Sequence, residues 1–247
     1  MSTLTHIHID LGNSRGKWRL LHDGVVLQQG TVDPETGLGL PSLAALDPAP
    51  LNPIQVVLAS VADASLEAHL RSNLRDRFDC AIETLYTPAS ALGMTNSYTD
   101  PARLGVDRWL AMLAAWHPKQ EDVVVVDAGS ALTVDVVSAS GQHQGGLILP
   151  GVHLSERALL ERTGKVRFDD DVAHELLLGK STAECVRFGI AHAQLGALES
   201  VAQRFSLQNH RWYFAGGAGQ WLCQRMAIGG ELAPDLVLEG IALMAGN

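Results

Sequence analysis

Cysteine is scarce in this 247-residue sequence. Cys80, Cys185 and Cys223 stand far apart and form no CxxC pair. Neither a disulfide framework nor a cysteine zinc site is expected, and the three read as buried, reduced thiols. No run of about 18 apolar residues occurs, so no membrane span is expected. Residues Met1 to Ile9 carry no basic flank ahead of a long apolar stretch, so no secretory leader is expected. Cationic charge is also short: 27 acidic residues face 18 basic ones, for a net charge of −9. That balance disfavours unspecific attraction to nucleic acid or to an anionic membrane. The motifs GxxxxGK[ST], GxGxxG and GxSxG are absent, which argues against a P-loop, a dinucleotide fold and a hydrolase elbow. Ten histidines are present, and His6 and His8 alternate along one segment. No carboxylate or cysteine spacing completes a metal set with them, so they read as structural or surface groups. These absences fit a cytoplasmic protein. The composition, 47% apolar and 18% charged, is that of a globular chain able to bury a core.

The apolar pattern predicts an α/β chain. Strands are expected at 7–12, 17–21 and 25–29, the last two joined by the turn His22-Asp23-Gly24. Residues 54–61 read as a buried strand, 66–78 as a helix with Leu66, Leu70, Leu74 and Phe78 on one stripe, and 82–86 as another strand. A short helix is expected near Leu43. Residues 104–116 read as a second amphipathic helix. Val123 to Val126 is the most apolar short run and reads as a central strand, with a partner at 132–137 and a further strand ending at Ile148 and Leu149. Helices are expected at 154–162, 182–205 and 236–245, and a strand at 212–215 leads into Gly216-Gly217.

The two halves resemble each other. Ile9-Asp10-Leu11-Gly12-Asn13-Ser14 opens one and Val126-Asp127-Ala128-Gly129-Ser130-Ala131 opens the other. Each reads as a strand, then Asp-x-Gly with a hydroxyl residue close behind, then a second strand. This suggests a duplication, with units at 1–118 and 119–247. Pro118 disfavours helix at His117 and marks the break. A glycine-bearing turn lets backbone N–H groups approach a ligand and form a phosphate nest. A carboxylate beside such a nest calls for a cation between it and the phosphates, and magnesium suits that role. Lys17 would add positive charge. One Asp-x-Gly alone equally marks an ordinary turn. Two copies at matching places point to a cleft between halves that grips nucleotide phosphates.

Residues 96–109 are the most unusual stretch, a polar loop with Tyr98 feeding a helix that starts Gly105-Val106-Asp107-Arg108. A carboxylate in reach of an alcohol can act as general base, and Arg108 could hold an acidic substrate in a bidentate pair. The alternative is a first-turn Asp favoured by the helix dipole, beside a solvent-facing Arg. Gly145-Gly146-Leu147-Ile148-Leu149-Pro150-Gly151 reads either as a close backbone approach to a ligand or as a tight packing corner.

Taken in order, the Asp10–Lys17 loop, Leu104-Gly105-Val106-Asp107-Arg108, Asp127-Ala128-Gly129-Ser130-Ala131-Leu132-Thr133 and Gly145–Gly151 resemble type III pantothenate kinases, also called the Bvg accessory factor family. The resemblance spans nearly the whole chain. It implies the duplicated ribonuclease H-like fold of the sugar-kinase, chaperone and actin superfamily, with two similar domains and a cleft. It implies ATP-dependent phosphorylation of pantothenate, the opening step of coenzyme A biosynthesis, in a homodimer. ATP phosphates would be bound by Asp10, Leu11, Gly12, Asn13, Ser14, Arg15, Gly16 and Lys17, with Ser130 as a second ATP contact. Pantothenate would be bound by Tyr98, Gly105, Val106, Asp107, Arg108 and Thr182, with Asp107 as proton acceptor. Asp127 matches the site of a monovalent cation (K+ or NH4+), and Mg2+ would accompany the nucleotide. Ser14 and Ser130 stand where the family usually has Thr, and Ser181 where Asn is common; the first two keep the hydroxyl. Two rivals stand beside this reading: a non-catalytic ATP-binding accessory protein of a transcriptional regulator, and a sugar or acetate-type kinase on the same fold.

Overall fold

The computed structural model describes residues 5–33, 36, 54–78, 80–168 and 171–246. The helix expected near Leu43 lies outside them. Contacts divide the chain into two compact units, one formed by Met1–Pro118 with Asp235–Asn247 and the other by Lys119–Pro234.

In the first unit, β1 (Thr5–Leu11), β2 (Gly16–His22) and β3 (Val25–Val32) form an antiparallel meander. Asp23 and Gly24 make the β2–β3 turn with φ of 49° and 76°, the backbone that Asp-Gly tolerates and that two-residue hairpins need. β4 (Ile54–Ser60) pairs parallel with β1 on its other side, and β5 (Ala81–Thr84) pairs parallel with β4 after the crossover helix α1 (Ala64–Phe78). The strand order is β3-β2-β1-β4-β5. A small ribbon, β6 (Ser90–Ala91) with β7 (Met94–Thr95), precedes α2 (Val106–Trp116). No local pattern announces that ribbon, whose strands are two residues each.

Alternation along β1 divides the burial. Ile7, Ile9 and Leu11 join Trp18, Leu20, Val56 and Leu58 in a core closed by Leu70 and Leu74 of α1, the stripe its spacing predicts. The opposite face carries His6, His8 and Asp10 and lies under α2 and the last helix, α6 (Leu236–Ala245). The expected second unit, 119–247, therefore loses its last helix to the first. Gly240 of α6 rests on the backbone of Leu110 in α2, where a Cβ would collide with the Leu110 carbonyl. Arg19 of β2 donates to the Leu238 carbonyl. A helix with apolar residues on most sides can pack on either sheet, so its pattern alone did not assign it.

The second unit repeats the plan. β8 (Val123–Ala128), β9 (Ala131–Val137) and β10 (His143–Pro150) form the meander. α3 (Val152–Arg162) and α4 (Thr182–Arg204) follow. β11 (Arg211–Ala215) then pairs parallel with β8, α5 (Gly219–Arg225) comes next, and β12 (Glu231–Leu232) pairs parallel with β11. The order β10-β9-β8-β11-β12 matches the first sheet strand for strand. Val124, Val126, Leu132, Val134, Trp212 and Phe214 pack under Leu195 and Leu198 of α4 and Leu222 of α5. Of the three cysteines, Cys185 is exposed and Cys80 and Cys223 are half-buried. The expectation of buried thiols thus fails, most clearly for Cys185, because α4 turns that position outward.

His8 is fully buried, and its Nδ1 accepts from Arg19 Nε at 3.4 Å. Its Nε2 has no hydrogen-bond partner among the described residues. Burial, and then the Arg19 cation and His6, push the imidazole down to about 3, so it is neutral in the fold. In the unfolded chain it protonates near 6.5. Between those values the unfolded chain binds the extra proton, so stability falls as pH drops from about 6.5 towards 3. The slope from one such group is at most about 1.4 kcal/mol per pH unit. A His8→Asn variant, whose amide oxygen can still accept from Arg19, is expected to flatten that slope. Urea midpoints at pH 7 and pH 5 check this, and an unchanged slope would acquit His8.

Candidate active site

The first Asp-Gly hairpin closes through the β1–β2 register. Asp10 lies opposite Lys17 and Leu11 opposite Gly16, so the side chains of Asp10 and Lys17 leave the same face. The Gly12 N–H donates to the Arg15 carbonyl at 3.2 Å. A Cβ on Gly12 would stand 3.0 Å from that carbonyl oxygen, and one on Gly16 would meet Val32 Cγ1 at 2.5 Å. A side chain at Gly16 would thus crowd Val32, and one at Gly12 would crowd the turn's own backbone. Asn13, Ser14 and Arg15 are exposed on the turn. The Asn13 amide is occupied at both ends: its Nδ2 donates to the Val61 carbonyl at 3.2 Å and its Oδ1 accepts from the Asp63 N–H at 2.9 Å. Asn13 braces the turn against the start of α1.

The second feature of this unit is the start of α2. Gly105 is its N-cap and gives no side-chain cap. Asp107 stands in the first turn, where the helix dipole favours a carboxylate, and its Oδ1 accepts from the Arg108 N–H at 2.8 Å. A Cβ on Gly105 would stand 2.5 Å from that same Oδ1. Glycine therefore makes the room in which Asp107 holds its rotamer. Arg108 is only 8% exposed, which removes the reading of a solvent-facing Arg. Its guanidinium donates to the Tyr98 hydroxyl at 3.1 Å. The Tyr98 N–H in turn donates to Asn96 Oδ1 at 2.9 Å, and buried Asn96 donates to the carbonyls of Pro88 and Pro101. The structure sets Tyr98 against Arg108, the chain neighbour of Asp107; only the family resemblance marks Tyr98 as a site residue.

Val61 joins the two features. Its N–H donates to the Leu11 carbonyl at 3.0 Å, its carbonyl accepts from Asn13, and its Cγ1 lies 3.7 Å from where a Gly105 Cβ would be. The hairpin and the first turn of α2 thus meet across one residue. Sequence reasoning missed Val61, which looked only like the end of a strand; it also missed Asn96, whose signal was an Asn two residues ahead of Tyr98.

In the second unit Asp127 lies opposite Thr133 in the β8–β9 register, the counterpart of Asp10 and Lys17. Gly129 and Ser130 form the turn, closed by a 2.9 Å bond from the Gly129 N–H to the Ala131 carbonyl. Two glycines press on it. Gly151 donates to the Ser130 carbonyl at 3.1 Å, and a Cβ there would meet that oxygen at 2.5 Å. Gly216, at φ 78°, comes so near Ala128 that a Cβ would stand 2.5 Å from Asp127 Oδ1. Gly151 is therefore a packing corner, which decides the open question over the Gly145–Gly151 segment at its last residue. Thr182 begins α4 behind the N-cap Ser181, whose hydroxyl accepts from the Glu184 N–H at 3.2 Å. It is exposed and lines a groove of about 870 Å³ with Leu149, Leu159, Lys180, Cys185 and Ile190. No group of three or more metal-ligating side chains occurs among the described residues.

Residues 6–204 match the type III pantothenate kinase family. A type III pantothenate kinase of Marinobacter nauticus is 34% identical over 243 residues, covering 96% of each chain. One from Marinomonas sp. is 38% identical over 197 residues, covering 78% of this chain and 79% of the relative. The chain belongs to the type III pantothenate kinase family. Among solved structures, a protein from Campylobacter jejuni described as a Baf family transcriptional activator aligns with a TM-score of 0.59 at 21% identity, covering 98% of this chain and 99% of that one. A 2-dehydro-3-deoxygalactonokinase protein from Sinorhizobium meliloti aligns with a TM-score of 0.57 at 12% identity, covering 97% and 98%. At these identities the likeness speaks for fold alone. It agrees with the repeated strand order, and the fold is a duplicated ribonuclease H-like fold. As a member of a kinase family the protein takes ATP as phosphoryl donor.

The tight fit at Gly105 yields a test. A Gly105→Ala variant must displace the Asp107 carboxylate or shift the start of α2. Pantothenate-dependent ADP release is expected to fall by about tenfold or more, since a displacement of about 1 Å at a reacting group costs on that order or beyond. The melting temperature should move only a few degrees. Undiminished turnover would show that the Asp107 rotamer is not critical.

Proposed function

We propose that this protein transfers the γ-phosphoryl group of ATP to the primary hydroxyl of pantothenate, giving 4'-phosphopantothenate and ADP. The observation that carries the reading is the meeting, at Val61, of a glycine-bearing Asp-Gly hairpin and a helix start that presents Asp107 and Arg108. Phosphoryl transfer asks a protein chiefly for alignment and charge stabilisation, with one positioned acid–base group. Backbone N–H groups of the Asp10–Lys17 turn and the Lys17 ammonium meet the ATP phosphates, and Ser130 provides a second contact. Asp107 takes the proton of the attacking hydroxyl as the bond from the hydroxyl oxygen to γ-phosphorus forms and the bond to the β,γ-bridging oxygen breaks. Arg108, held by Tyr98, faces the pantothenate carboxylate; Gly105, Val106 and Thr182 complete the substrate contacts.

Mg2+ and a monovalent cation belong to the same reading. One carboxylate fits Mg2+ that is held largely by phosphate oxygens and water, and Asp10 supplies it; the ion would neutralise phosphate charge. Asp127, the residue that the resemblance matches to a monovalent-cation position, is assigned to K+ or NH4+. A homodimer is favoured by the apolar groove beside Thr182 and by Leu154, Leu177 and Leu178, which are exposed on the same unit. No helix among the described residues is long and apolar enough to cross a membrane; a cytoplasmic site of action is part of the same proposal.

The test is a coupled ADP-release assay with and without pantothenate, in potassium and in sodium. Pantothenate-dependent turnover is expected, faster in potassium. An Asp107→Asn variant should lose about 100-fold or more in kcat, the scale of a positioned general base, while nucleotide binding by calorimetry stays within about twofold. Full activity in that variant would reject the base, and ATP binding without any ADP release would favour a non-catalytic accessory role.

A further inference from the structure

Asp235 occupies the N-cap of α6, the position where an Asp side chain ordinarily accepts from the N–H groups of its own first turn. It makes no such bond. Instead its Oδ1 lies 3.6 Å from Lys17 Nζ, with both side chains 35% exposed. Lys17 stands opposite Asp10 in the strand register, so the ammonium and the two carboxylates share one face of the first sheet. Two positions further along β2, on the same face, Arg19 donates to the Leu238 carbonyl and to His8 Nδ1. Two cations of one strand thus reach the first turn of one helix, and they do so under different conditions. Arg19 is 9% exposed and makes hydrogen bonds in a dry setting, where they anchor the helix. The Lys17–Asp235 pair is solvated, and such pairs add little to stability. Asp235 therefore forgoes a stabilising cap for a contact that stabilises little, which fits a role in placing the lysine.

We propose that Asp235 is a positioning residue that holds the Lys17 ammonium at the first hairpin, turned towards the phosphate oxygens of the nucleotide. This rests on the reading of the Asp10–Lys17 hairpin as the phosphate-binding turn. The flexible four-carbon stem of a lysine leaves its ammonium many positions, and a carboxylate on a helix anchored by Arg19 removes most of them. Asp235 touches neither the phosphoryl group nor pantothenate in this arrangement.

The experiment is steady-state ADP release with ATP varied at saturating pantothenate, on Asp235→Asn, Asp235→Ser, Asp235→Glu, Lys17→Ala and the Lys17→Ala/Asp235→Asn double variant. Asn removes only the charge and Ser also shortens the side chain, and both are good N-cap residues, so the fold is spared. Asn and Ser are expected to raise the KM for ATP about three- to fivefold, as loss of a solvated pair permits. The kcat and the pantothenate KM should stay within about twofold. Glu should recover most of the loss, and the double variant should be no worse than Lys17→Ala alone. An unchanged ATP KM in the Asn and Ser variants, beside a raised one in Lys17→Ala, overturns the positioning role and leaves the hairpin reading intact. Additive effects in the double variant overturn it as well. No effect of Lys17→Ala overturns the hairpin reading itself.

Discussion

The register between a strand ending in Asp and the strand that follows it is the constraint on which this structure depends. Asp10 opposite Lys17 and Asp127 opposite Thr133 are set by the antiparallel ladders. A slip of one residue would turn every side chain to the other face. It would send Asp10 into the core occupied by Ile7, Ile9 and Leu11, so burial itself enforces the placement of the polar group. The glycines at the turn fit the same geometry, because a Cβ would crowd the turn's own Arg15 carbonyl at Gly12 and the Val32 side chain of the next strand at Gly16.

The start of α2 obeys a second kind of crowding. A glycine N-cap gives up a side-chain cap, and the loss is tolerated because ten of the helix's residues are buried and tertiary packing carries its stability. What that glycine provides is room for the Asp107 carboxylate. Arg108 is buried, and a buried guanidinium without partners would be costly. The Tyr98 hydroxyl and the braced loop behind it answer that demand, so the Arg108 and Tyr98 side chains fix each other's position.

The two Asp-Gly hairpins are related by duplication and supported differently. In the second unit, Gly151 and Gly216 press backbone against backbone around Ser130 and Asp127. In the first, the supporting contacts are Asn13 with Val61 and Asp63, and α6 with Lys17 and Arg19. The last helix thus belongs structurally to the unit that carries Asp107, although the chain reaches it only after crossing the other unit.

Several things were legible in the amino-acid order alone. Alternation in β1, the valine run of β8 and the leucine stripe of α1 fixed the elements, because strand and helix periods leave separate imprints. The repeated Asp-x-Gly exposed the duplication, and Asp107 beside Arg108 at a helix start was visible along the chain. Tertiary structure alone decided the rest. Val61 is an ordinary aliphatic residue until folding sets it between hairpin and helix. Gly151 could have served a ligand or a neighbour until Ser130 came against it. Helix 236–245 could have covered either sheet, and Gly240 on Leu110 and Arg19 on Leu238 chose the first. Local pattern records what each residue demands of its own segment, whereas these contacts join residues far apart in the chain, and only three-dimensional packing determines which distant surfaces fit.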